Sequence, residues 1–197
     1  MIIGISGKAE TGKDWIVENI ARPLGFFQFS LAWHFKNWLV ATGQATWEEV
    51  FITKPPHVRH LLQQEGTEKG RNVYGDDIWC EATLSWINTL KKYNGINHVV
   101  IADCRFYNEL KFIQSIGGQV YRIVAPNRAA ASKLSPEARL HISETQLDNC
   151  TEFDAYLHND FDDKNEKFFE ALFKDAIESE KRGTNWSPFA TQKRDLK

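Results

Sequence analysis

Three cysteines in 197 residues, Cys80, Cys104 and Cys150, are too few and too scattered for a disulfide framework. They lack C-x-x-C spacing, which argues against zinc and for reduced thiols that pack as small apolar groups. No run of 18 apolar residues occurs, so no membrane-spanning helix is expected. Positive charge is not in excess either: 24 Lys and Arg stand against 26 Asp and Glu, a formal net charge of -2. Duplex binding draws on many Lys and Arg contacts, so neither nucleic acid nor a membrane is an expected partner, whereas a small anionic ligand needs only a local basic pocket. The first apolar run begins at residue 2, which leaves no room for a secretory leader and predicts a cytoplasmic protein. Repeats and low-complexity tracts are absent from the sequence. The length suits one α/β domain with a sizeable core.

What is present is a phosphate-binding spacing. Gly7, Gly12 and Lys13 fit G-x-x-x-x-G-K, with Asp14 where a hydroxyl usually follows. A chain of this length shows that spacing by chance roughly once in twenty, so the flanks matter. Met1 to Ile5 reads as a buried strand, and Ile16, Val17, Ile20 and Ala21 recur at helical spacing afterwards. In such a loop the backbone N–H groups of Gly7, Lys8, Ala9, Glu10, Thr11 and Gly12 turn toward phosphate oxygens, and Lys13 reaches the outer phosphates. Asp14 beside a triphosphate is repelled unless a divalent cation lies between them. It either holds Mg²⁺, directly or through water, or is a first-turn aspartate favoured by the helix dipole.

Along the chain, a helix is expected over Gly12–Arg22, a strand over Phe26–Ser30, and a helix over Leu31–Ala41 with Trp33, Trp38 and Leu39 among its apolar members. A further helix should run from His57 to Gly66. Asp76 or Asp77 should cap the next one, where Trp79, Ala82, Thr83 and Trp86 share a side. Each of the seven tryptophans is expected in the core rather than on a ligand. His57 and His60 have no third ligand at recognisable spacing and read as solvated. His98–Asp103 is the clearest buried strand. Its terminal Asp103 either completes an Mg²⁺ shell or caps the helix that follows, and Arg105 faces the same cleft. A helix over Tyr107–Ile116, a strand over Gln119–Val124, a short strand over Ala155–His158 and a helix over Asp163–Glu178 complete a βαβ alternation. That alternation predicts an α/β fold: a parallel sheet with helices on both faces. The segment 126–145, with Arg128, Lys133 and Arg139, reads either as a lid over phosphates or as a solvated helical hairpin. Residues 181–197 read as a polar C-terminal tail.

Taken together, these stretches resemble the bacteriophage deoxynucleoside monophosphate kinases, and the likeness spans nearly the whole chain. It rests on Gly7 to Asp14, on Leu62-Gln63 with Gly66-Thr67-Glu68 and Arg71, and on Asp77 with Trp79. Asp103-Cys104-Arg105-Phe106 with Asn108-Glu109, His141-Ile142-Ser143-Glu144 with Leu147-Asp148, and Asn159-Asp160 follow in the same order. Animal-type phosphomevalonate kinases resemble the same skeleton, but the Gly-Thr-Glu-x-x-Arg block points to the phage enzymes. The resemblance implies a phosphate-loop kinase domain over 1–180 with a helical acceptor-binding insert at about 31–92, using ATP and Mg²⁺ and taking a small-molecule nucleotide as substrate. It implies that Gly7 to Asp14 bind the ATP phosphates and that Asn159 lies near the adenine. On the acceptor side it implies Ser30, Lys36, Arg59, Gln63, Thr67, Glu68, Arg71 and Trp79, with Asp103 and Arg105 at the same cleft. The lid cations would be Arg128, Lys133 and Arg139. The phage family usually has threonine where this chain has Trp15, and a small or acidic residue where it has Trp33. A homodimer is left open.

The chemistry expected of such a site is electrostatic. The acceptor phosphate is already ionised near neutrality, so no general base is required. Two anionic groups about 5 Å apart repel by roughly 3 kcal/mol per unit pair at an effective dielectric near 20. Lys13, Mg²⁺ held by Asp14 and Asp103, Arg71 and Arg105 on the acceptor phosphate, and Arg128 or Arg139 on the transferred group are expected to cancel that repulsion. The alternatives are a different acceptor, such as a phosphomevalonate-like metabolite or a modified nucleotide or base, and a nucleotide-binding module without transfer activity.

Overall fold

In the computed structural model the described residues are 1–126, 136–159 and 163–183. Five strands form one parallel sheet in the order β2-β3-β1-β4-β5: β1 (Ile2–Ser6), β2 (Phe27–Phe29), β3 (Val99–Cys104), β4 (Gln119–Val124) and β5 (Ala155–His158). β1 is central, paired in register Ile2 to Val99 on one side and Ile3 to Gln119 on the other. Its near-continuous apolar sequence is what a strand covered on both faces requires. Side chains alternate across it. Ile3 and Ile5 join a core with Ile16, Val17, Ile20, Phe169, Leu172, Phe173 and Ala176, contributed by the helices that follow β1 and β5. On the opposite face α-helical Ile113 covers Gly4.

The first helix, α1 (Lys13–Ile16), widens into an i→i+5 turn over Val17–Ala21, in which Arg22 N–H donates to the Val17 carbonyl at 2.9 Å. The last described helix, Asp163–Lys181, runs three residues past the expected end at Glu178. The helix Tyr107–Ser115 has Phe106 at its N-cap, and Glu109 reaches back from the first turn, its carboxylate accepting the backbone N–H of Arg105 at 2.6 Å and of Phe106 at 3.0 Å. Asp103 lies within the last two residues of β3.

Two compact units divide the chain, one built from Met1–Gln28 and the chain from Ile96 onward, the other from Phe29–Gly95. The second is helical: Trp33–Ala41, a wide turn Glu49–Thr53, Pro56–Gln63 continuing as i→i+5 winding over Gln64–Arg71, Asn72–Tyr74 and Ile78–Asn94. Its small core gathers Leu39, Val50 and Val58. The helix expected to stop at Gly66 therefore continues to Arg71. Gly66 and Gly70 explain how. A Cβ on Gly66 would meet Phe35 at 3.0 Å, and one on Gly70 would lie 2.3 Å from the Trp79 ring, whose indole N–H donates to the Gly66 carbonyl at 2.8 Å. The glycines thus admit two aromatic rings against the helix backbone.

Other expectations are corrected here. Asp77 sits at the N-cap of Ile78–Asn94, but its side chain makes no capping hydrogen bond. That helix buries Cys80, Thr83 and Ile87; of the expected stripe Thr83 is buried, Trp79 and Ala82 are half-buried, and Trp86 is exposed. Among the described residues no tryptophan is fully buried: Trp38 is 58% exposed, Trp15, Trp47 and Trp86 are also exposed, and Trp33 and Trp79 are half-buried. The helix Trp33–Ala41 turns Leu39, not Trp38, into the core. Trp186 lies outside the described residues. His57 and His60 are exposed, and the three cysteines form no disulfide, with Cys80 and Cys104 buried.

Candidate functional site

β1 ends at Ser6, and the loop Gly7–Asp14 leaves the carboxyl edge of the sheet beside the ends of β3 and β4. Open parallel sheets gather ligands at that edge. Gly7 has φ +152, and a Cβ there would lie 2.9 Å from both the Ile123 carbonyl and the Thr11 hydroxyl oxygen, so the first turn needs glycine. Glu10 adopts φ +64, a conformation costly for a residue with a Cβ. The loop is closed by its own groups: the Lys8 carbonyl accepts the Thr11 hydroxyl at 2.9 Å and the Lys13 ammonium at 2.6 Å. From the end of β5, buried Asn159 donates its amide to the Thr11 carbonyl at 2.8 Å.

Lys13 is 7% exposed. Burial, and after it the Arg105 charge, pushes its ammonium pKa down to about 7; Arg122 adds to this, while Asp14 and Asp103 pull the other way. An ammonium so placed gains from any anion brought beside it. Arg105 follows β3 and is paired with Glu144, its guanidinium also donating to the Ser143 carbonyl at 3.4 Å. Arg122, on β4, donates to the Ser6 hydroxyl at 3.0 Å and to Asp148 at 3.1 Å. Asp148 also pairs with Lys8 at 2.6 Å. Glu144 and Asp148 lie in and just after the short helix Ile142–Thr145, capped by His141, whose Nδ1 accepts the Ser143 N–H at 3.2 Å. The stretch is tied to the start of Tyr107–Ser115, where Tyr107 N–H donates to Gln146 at 3.0 Å.

The first unit therefore brings together Gly7 to Asp14, Asp103, Arg105 and Asn159. Arg139 is exposed on the helix Pro136–Leu140. Arg128 and Lys133 lie outside the described residues, as does Asp160. The second unit carries the remaining set. Arg71 is buried and donates to the Asp76 carbonyl at 2.7 Å. Ser30 is buried and accepts the Ala32 N–H at 3.2 Å, starting the helix Trp33–Ala41. Lys36 lies 5.6 Å from the Phe51 ring centroid, and Trp79 stacks near His34 at 6.2 Å. Gln63 and Thr67 are half-buried, while Arg59 and Glu68 are exposed.

Sequence reasoning missed Arg122 and gave Glu144 and Asp148 no role in the site, although both stand in a block that carries the family resemblance. For Arg122 a signal was present too: an arginine in the middle of the apolar run Val120–Val124 has to be neutralised somewhere. For a metal, the donor set is Asp14, exposed, and Asp103, half-buried, both acting on Lys13. No cluster of three His, Cys, Asp or Glu occurs among the described residues. Two carboxylates completed by phosphate oxygens and water suit Mg²⁺, which seldom takes an all-protein shell.

No protein-family model matches the chain. A protein of Acanthamoeba polyphaga mimivirus, provisionally named a deoxynucleotide monophosphate kinase, is 25% identical over 177 residues, covering 81% of this chain and 88% of that protein. Among solved structures, the dephospho-CoA kinase of Campylobacter jejuni superposes with TM-score 0.51 at 17% identity, over 92% of this chain and 98% of its own. The shikimate kinase of Bacteroides thetaiotaomicron gives 0.47 at 16%, over 90% and 98%. The chain has the α/β fold of the phosphate-loop kinases, with the five-stranded parallel sheet in the order described above. Among the described residues no helix is long and apolar enough to cross a membrane.

Proposed function

We propose that the chain transfers the γ-phosphoryl group of ATP to a deoxynucleoside 5'-monophosphate, yielding the diphosphate. The observation that carries the kinase reading is the buried Lys13 beneath a glycine loop, flanked by Arg105 just after β3 and Arg122 within β4. The choice of a deoxynucleotide acceptor draws on the likeness to the viral protein and on the Gly66-Thr67-Glu68 and Arg71 block.

In this reading the loop N–H groups and Lys13 hold the ATP phosphates, and Arg105 neutralises charge as the two phosphates approach. Asp14 and Asp103 would hold Mg²⁺, which when bound offsets charge across the transferring phosphates. The acceptor is held by Ser30, Lys36, Arg59, Gln63, Thr67, Glu68, Arg71 and Trp79 of the helical insert. Arg128, Lys133 and Arg139 serve as lid cations. Asn159 fixes the loop through Thr11 and borders the adenine.

The test is ADP formation from Mg-ATP with each deoxy- and ribonucleoside monophosphate, with phosphomevalonate and shikimate in the same panel. Turnover with one or more deoxynucleotides, lost in Lys13→Ala, is the expected result. Turnover only with a non-nucleotide acceptor would overturn the acceptor assignment, and ATP binding without transfer to any acceptor would leave a nucleotide-binding module.

A further inference from the structure

Glu144 and Asp148 stand four residues apart, and each bridges one group of the glycine loop and one arginine at the edge of the sheet. Glu144 Oε2 accepts the Ala9 N–H at 3.1 Å while Oε1 pairs with Arg105. Asp148 Oδ2 accepts from Lys8 Nζ at 2.6 Å while Oδ1 accepts from Arg122 at 3.1 Å. Lys8 and Ala9 are consecutive, so the two acids hold adjacent links of the loop's first arc. Four donors from three separate stretches of chain converge on two carboxylates, each using both oxygens.

We propose that Glu144 and Asp148 are positioning residues: a two-point clamp that sets the Lys8–Ala9 arc and aims Arg105 and Arg122 before nucleotide binds. Its effect on turnover rests on the kinase reading above, while the clamp itself does not. Neither acid needs to touch substrate. The chemistry demands carboxylates, because an amide offers one acceptor and one donor. Glu144→Gln or Asp148→Asn therefore sets an N–H against an N–H at one end of the bridge. A loop no longer held must be ordered at the moment of binding, which weakens affinity, and misaimed arginines slow transfer.

The experiment compares the wild type with Glu144→Gln and Asp148→Asn in three measurements: hydrogen–deuterium exchange of the peptide covering Gly7–Asp14, calorimetric binding of inorganic tripolyphosphate, and kcat and KM with Mg-ATP and the best acceptor. In both variants the loop peptide should exchange about tenfold faster, with melting temperature nearly unchanged. Tripolyphosphate should bind about tenfold more weakly, and kcat should fall by about 10²-fold, as expected when catalytic groups lose alignment. Unchanged loop exchange overturns the clamp, whatever happens to activity. Tighter tripolyphosphate binding overturns it too, since the Glu144 carboxylate would then be a stand-in that phosphate must displace. If Glu144→Gln fails to fold, the more exposed Asp148→Asn decides the matter alone. If the wild type phosphorylates no acceptor, the kinase reading falls, and exchange with tripolyphosphate binding still judges the clamp.

Discussion

Lys13 shows how a candidate functional residue opposes the stability of its own fold. Its folded pKa, about 7, lies below the ordinary lysine value of 10.5, so the unfolded chain binds more protons between those limits. The burden on folding is therefore full below pH 7 and fades as pH rises toward 10.5. Lys13→Met removes it, together with the hydrogen bond to the Lys8 carbonyl. The net gain should be on the order of 3 kcal/mol at pH 6, with the difference in melting temperature shrinking by pH 10 and ATP turnover abolished throughout. Thermal melts of both proteins across pH 6–10 check the sign. Arg122 should behave differently, because it is hydrogen-bonded to Ser6 and Asp148. Arg122→Met leaves a buried hydroxyl short of a partner and is expected to cost about 1–3 kcal/mol in denaturant unfolding. It should also lower kcat/KM at least about tenfold, in keeping with the loss of a charge-assisted contact.

Among the elements, the strands were the most legible. β3, β4 and β5 are short apolar runs bounded by polar or turn residues, and their alternation with helical spacing carries the parallel sheet. The loop after β1 was legible for another reason: glycine at φ +152 and φ +88 is a backbone demand written in single letters. Helix faces were read less well. Leu39 and Thr83 are buried among the residues named for these helices, but Trp38 and Trp86 are exposed and Cys80 and Ile87 were not named, because a large amphipathic tryptophan is seldom fully enclosed while cysteine and isoleucine often are. The i→i+5 winding over Gln64–Arg71 could not be foreseen, since it depends on Phe35 and Trp79 meeting glycines 31 and 9 residues away in sequence (from position 35 to 66, and from 79 back to 70). Gly70→Ala should therefore cost about 1–3 kcal/mol or more, from overpacking, despite alanine's better helix propensity. A blue or red shift of tryptophan emission together with the lowered denaturation midpoint would register the displaced Trp79 ring, and an unchanged midpoint would refute the close packing.

Across the whole molecule, the contacts that complete the site join positions more than a hundred residues apart, Ala9 with Glu144 and Lys8 with Asp148. Local periodicity carries no information about such pairs, which is why Arg122, Glu144 and Asp148 were absent from the sequence-based site. The core is likewise assembled from the two ends of the chain: Phe173 is 1% exposed among Ile3, Val17 and Phe26 in one cluster. Phe173→Ala should cost about 3–5 kcal/mol, measurable by urea unfolding. One further property follows from where the second unit is spliced in. The chain departs from the sheet at β2 and rejoins it at β3, two neighbouring strands, and Phe27 N–H donates to the His98 carbonyl at 2.8 Å across that junction. Because β2 and β3 run parallel, the 67-residue excursion Phe29–Gly95 leaves at the carboxyl end of one strand and returns at the amino end of the next, so it serves as their crossover. Such a unit is a bridge that cannot be shortened at will: excising residues 31–94 and joining the cut ends with a few glycines and serines should unpair β2 from β3 and lower the urea midpoint, since parallel neighbours need a connection of about a dozen residues or more.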